Sequence, residues 1–296
     1  MKSIDWSCKH NIWIRNDDGS LSRMDEPYFR SELIAPATWK ILSSGDYSYL
    51  LEGDEEAIAI DSGYGAGNIR EYMQTLTAKP VRCIINTHDH FDHTANNGYF
   101  DMVYMAEATV PLATQPFASF AGIDFPRDYP VTVVGDGDMI PLKGRELEVF
   151  LIPDHAEGSI AMLDRKERLL FVGDEFMIQG KNLNGGVVHW IKLLEKLDRV
   201  RDQFDTLCCG ASIQPAAFFD NTLACARYAL EHEGVVPEEK GHPPVVETNA
   251  DGEIIYDRMF PHPGDGGKHD WGDPADRRIV EYAGTNIMYN IKRKFE

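Results

Sequence analysis

The sequence predicts an α/β protein built from two halves, near residues 39–110 and 131–232, each a run of strands followed by helix. Three observations predict this class. Short apolar runs alternate with polar turns at the start of each half. Amphipathic helical stripes follow them. Histidines and carboxylates then collect where predicted strands end, which is where open α/β sheets place their chemistry.

The 296 residues are ample for one large domain or two small ones, and a 43% hydrophobic content marks a globular chain. Lys and Arg number 29 against 48 Asp and Glu, a formal charge of −19. Such a surface repels phosphate backbones and anionic lipid, so neither nucleic acid nor a membrane is expected as a partner. Met1 to Arg15 has no apolar h-region, and no apolar run approaches the roughly 20 residues of a membrane helix. The cysteines are Cys8, Cys83, Cys208, Cys209 and Cys225, with no C-x-x-C spacing. A reduced, cytoplasmic protein is the expectation. The vicinal pair Cys208-Cys209 reads either as buried strand-end residues or as a soft-metal or redox site.

In chain order, residues 1–35 read as a polar, irregular extension, with order starting near Trp39. Trp39–Leu42, Tyr47–Leu51 and Ala57–Ile60 read as meandering strands. The third ends in Asp61-Ser62-Gly63-Tyr64-Gly65-Ala66-Gly67, a turn that lets backbone pass close to a site. Asn68 to Thr77 has Ile69, Tyr72, Met73 and Leu76 at helical spacing. Val81 to Asn86 is a buried strand, a short helix is expected at 94–100, and Asp101 to Met105 is another strand. Residues 111–130 carry prolines with Phe117, Phe120, Phe125 and Tyr129, either a substrate lid or a packed loop. Glu146 to Ile152 alternates, and Ile160–Leu163 with Leu169–Val172 forms a hairpin. His189–Arg201 and Pro215–Glu231 are helices, and Ile279–Ile291 supplies closing strands. Glu231 to Asp276 has twelve acids and three bases, so 233–296 reads as a loop-rich acidic extension plus those strands, attached to a core at 36–232.

The densest chemistry is Thr87-His88-Asp89-His90-Phe91-Asp92-His93, an H-x-H-x-D-H run at a strand's C-terminal end. Imidazole nitrogen and carboxylate oxygen suit zinc, and also iron or manganese. His155 and Asp174 likewise follow predicted strands, and that shared position gathers them with the first cluster.

These residues together resemble the metallo-β-lactamase-fold hydrolases: His88-x-His90-x-Asp92-His93, then His155 before Gly158-Ser159, then Gly173-Asp174, with Asp61-Ser62-Gly63 similar to the preceding D-x-G turn. The similarity covers about 36–232. It implies an αββα sandwich, two mixed sheets with outer helices and metals at one edge. It implies that His88, His90 and His155 bind a first metal, Asp92 and His93 a second, and that Asp174 bridges them. A hydroxide between the metals would be the nucleophile, and Asp92 would carry protons. His189, outside the motif, is a candidate donor to a leaving group or an ordinary helix-start histidine.

The sequence departs from the family in two places. A final Gly-His pair is usual, and here Gly210 is followed by Ala211, whose methyl cannot ligate. The second metal is then weak, absent or completed elsewhere, with His242, His262, His269, Cys209 and Ser212 as candidates. The usual Gly-Gly after the motif is Ala95-Asn96. The leading expectation is a metal-dependent hydrolase of a small molecule (ester, lactone, thioester or amide) holding one or two zinc ions. The alternatives are a mononuclear iron enzyme of oxygen or sulfur chemistry, and a non-catalytic metal-binding descendant. Substrate and oligomeric state have no readable code.

Overall fold

Two compact units divide the chain, and each builds a mixed sheet whose parallel strands end together at one edge. The computed structural model describes residues 3–16, 18–115, 120–238, 247–257 and 272–296.

Within the first unit, β1 (Ile12–Arg15) and β2 (Leu21–Arg23) precede the main sheet. That sheet contains β3 (Phe29–Ala35), β4 (Thr38–Ser43), β5 (Asp46–Glu52), β6 (Ala57–Ile60), β7 (Val81–Ile85), β8 (Met102–Ala106) and β9 (Val131–Val134), ordered β3-β4-β5-β6-β7-β8-β9. Strands β3 to β6 run antiparallel, as short polar turns dictate. Pairings from β6 onward are parallel. The crossover from β6 to β7 is α1 (Ile69–Leu76), which starts where the Asn68 side chain accepts from the Glu71 N–H at 3.2 Å and which buries Ile69 and Met73. Ile60 pairs with Ile85, so the segments after β6 and β7 leave the sheet side by side. Those segments carry Asp61 and Thr87-His88.

The first 35 residues are not irregular. β1 pairs in parallel with β18 (Ile254–Asp257), Ile12 against Ile254, and Ile14 is fully buried. With β2 and β17 (Glu247–Thr248) they make a four-stranded sheet. Strand β3 is the exposed edge of the main sheet, so it lacks the apolar alternation that marks a half-buried strand. Within the four-stranded sheet β17 pairs antiparallel with β18, Glu247 against Ile255 and Thr248 against Ile254. The short helix near the motif, α2 (Phe91–Thr94), begins earlier than expected and includes two motif residues.

The second unit holds β10 (Met139–Leu142), β11 (Arg145–Leu151), β12 (Ile160–Asp164), β13 (Leu169–Gly173), β15 (Thr206–Cys209) and β16 (Ile213–Pro215), in the order β10-β11-β12-β13-β15-β16. Strands β12 and β13 are buried along their whole length. β13 and β15 are parallel with Gly173 against Cys209, so Asp174 and the Gly210-Ala211 turn leave one edge together. A separate sheet has the order β14 (Lys181–Asn182), β20 (Thr285–Asn290), β19 (Arg277–Tyr282). Helices α3 (Val187–Asp198) and α4 (Ala217–Glu231) bury Trp190, Leu194, Phe219 and Ala226 in this unit's core. The amides at the start of α3 donate to chain carbonyls: Val188 N–H to Lys294 at 3.2 Å and His189 N–H to Glu296 at 2.8 Å. Gly186 permits this approach, because a Cβ there would lie 2.0 Å from the Arg293 carbonyl oxygen. Among the described residues, no helix is long and apolar enough to cross a membrane.

Candidate metal centre

In the first unit the H-x-H-x-D-H run is organised around one buried carboxylate. Asp61 accepts the Thr87 N–H at 2.7 Å on one oxygen; on the other it accepts the Thr87 hydroxyl at 2.7 Å and His93 Nδ1 at 2.9 Å. The Thr87 hydroxyl, its proton given to Asp61, accepts in turn from His88 Nδ1 at 3.0 Å. This relay fixes both tautomers. With Nδ1–H used inward on His88 and His93, each ring presents the lone pair of Nε2 outward, the arrangement that orients ligating histidines. Asp61 adopts φ +55°, a left-handed conformation that residues other than Gly adopt uncommonly and that Asp, like Asn, tolerates better than most. Strain of this kind persists where surrounding bonds over-determine it, as the three donors to Asp61 do.

The motif's backbone is held equally firmly. The His93 carbonyl accepts from Ser62 N–H at 2.8 Å, Ser62 Oγ at 3.1 Å and Asn86 Nδ2 at 2.8 Å. Asn96 stands where a glycine was expected, and its side-chain amide donates to the carbonyls of Ser62, Gly63 and Gly65 at 3.1–3.3 Å. The substitution thus cinches the turn after β6. Beneath the motif, Phe91 packs on Phe120 and Phe125, with ring centroids 4.1 and 4.7 Å apart, and Trp6 closes on both. Phe120 and Phe125 therefore belong to the core beneath the motif rather than to a lid; Phe117 lies outside the described residues.

His88 and His93 are buried, while His90 and Asp92 are half-exposed. The ring centroid of His88 lies 4.6 Å from that of His90 and 4.1 Å from that of His93. His93 Nε2 is 3.7 Å from Asp92 Oδ2. A residue missed in the sequence joins them: Asp46, at the start of β5, offers a carboxylate oxygen within 4.8 Å of ligand atoms of Asp92 and His93.

In the second unit His155 Nε2 lies 3.8 Å from Asp174 Oδ2. The loop carrying His155 is gripped by a buried ionic network. Glu175 Oε1 accepts the N–H groups of Asp154 (3.2 Å) and His155 (2.7 Å), and Asn184 Nδ2 donates to both their carbonyls at 2.9 Å. Lys181 Nζ donates to Glu175 at 2.6 Å and forms an ion pair with Asp154 at 2.9 Å, and all three side chains are buried. Burial pulls the Lys181 ammonium down, but the two carboxylates outweigh it and hold it above the ordinary lysine value. His189 Nε2 donates to the Pro153 carbonyl at 2.7 Å, which ties the start of α3 to the same loop; a proton-donor role would require that bond to open.

The donor set fits a divalent cation. Its nitrogens are imidazoles, of which His88 and His93 have their second nitrogen bonded inward, and its oxygens are carboxylates, the ligands of zinc, iron(II) and manganese(II). The vicinal cysteines are buried strand residues, and burial pushes the Cys209 thiol up to about 12, far from the thiolate a soft metal needs. His242, His262 and His269 lie outside the described residues.

Comparison with known proteins agrees with this chemistry. Residues 45–210, more than half of the chain, match the profile of the metallo-beta-lactamase superfamily. A 2,4-dinitroanisole O-demethylase subunit alpha from a Nocardioides species is 28% identical over 160 residues, covering 50% of this chain and 47% of that protein. An acyl-coenzyme A thioesterase from Gallus gallus is 26% identical over 186 residues, covering 51% of this chain and 67% of the relative. The chain thus spans slightly less than half the length of the first relative and about two thirds of the second. Among solved structures, a metallo-beta-lactamase from Pontibacter korlensis aligns with a TM-score of 0.53 at 19% identity, over 68% of this chain and 99% of that one, a likeness of fold.

Proposed function

The chain belongs to the metallo-beta-lactamase superfamily, and on that premise we propose that it is a metal-dependent hydrolase of a small acyl compound, with thioesters the first class to test and lactones and esters next. The observation that carries this reading is the Asp61-centred relay, which sets the Nε2 lone pairs of His88 and His93 toward a common space beside Asp92. A relative named as a thioesterase supports the order of substrates.

In this reading, as the family resemblance implies, His88, His90 and His155 would hold one cation, Asp92 and His93 would hold a second, and Asp174 would serve as a shared ligand. When bound, the cations supply Lewis acidity and a water acidic enough to attack near neutral pH. The chain's own residues do the rest. Asp61 and Thr87 keep the imidazoles in one tautomer. Asp92, half-exposed, accepts and returns a proton at its carboxylate. Glu175, Lys181 and Asn184 fix the His155 backbone. The proposed partner is a small molecule rather than nucleic acid or membrane, which the −19 formal charge supports; a cytoplasmic setting and zinc as the resident metal belong to the same proposal.

The test is turnover of acyl thioesters, lactones and aryl esters by zinc-loaded protein beside a His88→Ala/His90→Ala variant. Loss of two direct ligands is expected to cost at least about 100-fold, since outer-shell changes alone cost 10- to 100-fold. Unchanged turnover in the variant sinks the reading.

A further inference from the structure

We propose that Asp46, Asp92 and His93 form a divalent-cation site, with Asp46 a ligand supplied by the turn between β4 and β5.

The position is built, not incidental. Ser43 pairs with Asp46 to close the β4–β5 hairpin, and Ser44 turns the chain at φ +64°. The Gly65 N–H donates to Ser43 Oγ at 3.1 Å, pinning the hairpin tip to the loop that follows Asp61. A Cβ at Gly63 or Gly65 would fall 2.4 or 2.7 Å from Ser43 Oγ, so only glycine lets the two segments approach this closely. The same loop holds the His93 carbonyl through Ser62, and the His93 ring is set by Asp61. Asp46 and His93 are thus referenced to one another through a short run of bonded backbone. Tyr64 is buried in the same loop: burial first, then Asp46, Tyr28 and Asp92, push its phenol well above the ordinary value.

The ligand atoms of the three residues lie within 4.8 Å of one another. Two carboxylates at that spacing repel one another, and a cation held by both removes that repulsion. Two carboxylates and one neutral imidazole carry a charge that a divalent cation cancels. They are also harder donors than an all-imidazole set, favouring zinc, manganese(II) or iron(II) over soft ions. The inference deepens the hydrolase reading and rests on its metal centre.

The experiment is zinc titration of metal-free, full-length protein against a chromophoric chelator, for wild type, Asp46→Asn and Asp46→Ser. Melting temperatures of the metal-free proteins show that each variant folds. Cobalt(II) absorption serves as an independent readout of the second ion's coordination. Wild type is expected to take two equivalents. Both variants should keep the first unchanged, weaken the second on the order of 100-fold, and lose the second cobalt's absorption. Two equivalents with unchanged affinities in both variants overturn the role of Asp46. A wild type that takes one equivalent, indifferent to Asp46, overturns the site and leaves the hydrolase reading standing. A wild type that takes none overturns both. Asp46-dependent binding without hydrolysis of any substrate class upholds the site and sinks the hydrolase reading.

Discussion

Glu175 holds His155 by its backbone: the carboxylate accepts the His155 N–H at 2.7 Å while its other oxygen bonds the buried Lys181 ammonium at 2.6 Å. The ion pair is therefore part of how the His155 loop is shaped. In Lys181→Met, two buried carboxylates, Asp154 and Glu175, lose their counter-charge. Breaking a buried pair costs about 3–5 kcal/mol. Urea denaturation should show that loss, and a double change that also makes Glu175→Gln should recover part of it. A cost below about 1 kcal/mol for Lys181→Met would show that the network carries little.

Asp61→Asn tests the relay on the other unit. Asn tolerates the left-handed backbone but cannot accept from both the Thr87 hydroxyl and His93 Nδ1 on an amide nitrogen. The His93 ring is then free to choose the other tautomer. Zinc affinity should fall about 10- to 100-fold, while Thr87→Val, which spares His93, should fall less. Equal zinc affinity in Asp61→Asn and wild type would exclude the relay as an orienting device.

Cation removal should lower stability. Ligand binding to the folded state alone contributes about 2.7 kcal/mol at a free concentration 100 times Kd. A chelator is expected to lower the melting temperature of wild type and to have little effect on His88→Ala/His90→Ala. The same shift in both proteins would mean that the stabilising ion sits elsewhere.

An acid-side pH dependence follows from Glu52. The Lys79 ammonium at 2.7 Å, and the Thr77 hydroxyl also at 2.7 Å, hold its carboxyl below the ordinary 4.5, against the opposing effect of burial. A depressed folded-state value stabilises above pH 4.5 and loses that stabilisation as pH falls through the folded value. Glu52→Gln should therefore show a shallower stability decline on acidification than wild type. The exposure of the pair keeps the difference small. Parallel curves for the two proteins would remove Glu52 from the acid limb.

What the sequence disclosed follows physical range. The α/β class, the helix at 69–76 and the strand before His88 were legible because they rest on local periodicity and on one dense motif. β1 was not legible, because its parallel partner β18 lies some 240 positions away and four residues carry no periodicity. β3 was hidden by being an exposed edge. Asp46 was missed for a similar reason: nothing near Ser44-Gly45 resembles a ligand motif, and only the hairpin register brings it to His93. A carboxylate immediately after a Ser-Gly turn, opposite the glycines of 63–67, was the available signal. Asn96 reads in the sequence only as a departure, and its three bonds to Ser62, Gly63 and Gly65 are visible only in three dimensions.

Trp6 seals the aromatic floor on which Phe91 rests, with Phe120 and Phe125 between. The region of family likeness starts at residue 45 and so understates what must be present for the chemistry to stand. Trimming the chain to that region would strip a plank from under the ligands, leaving the motif intact in letters and adrift in space. Tag placement, domain borrowing and library design all inherit this boundary: Trp6 belongs with the motif it supports, although it precedes the first residue that looks familiar.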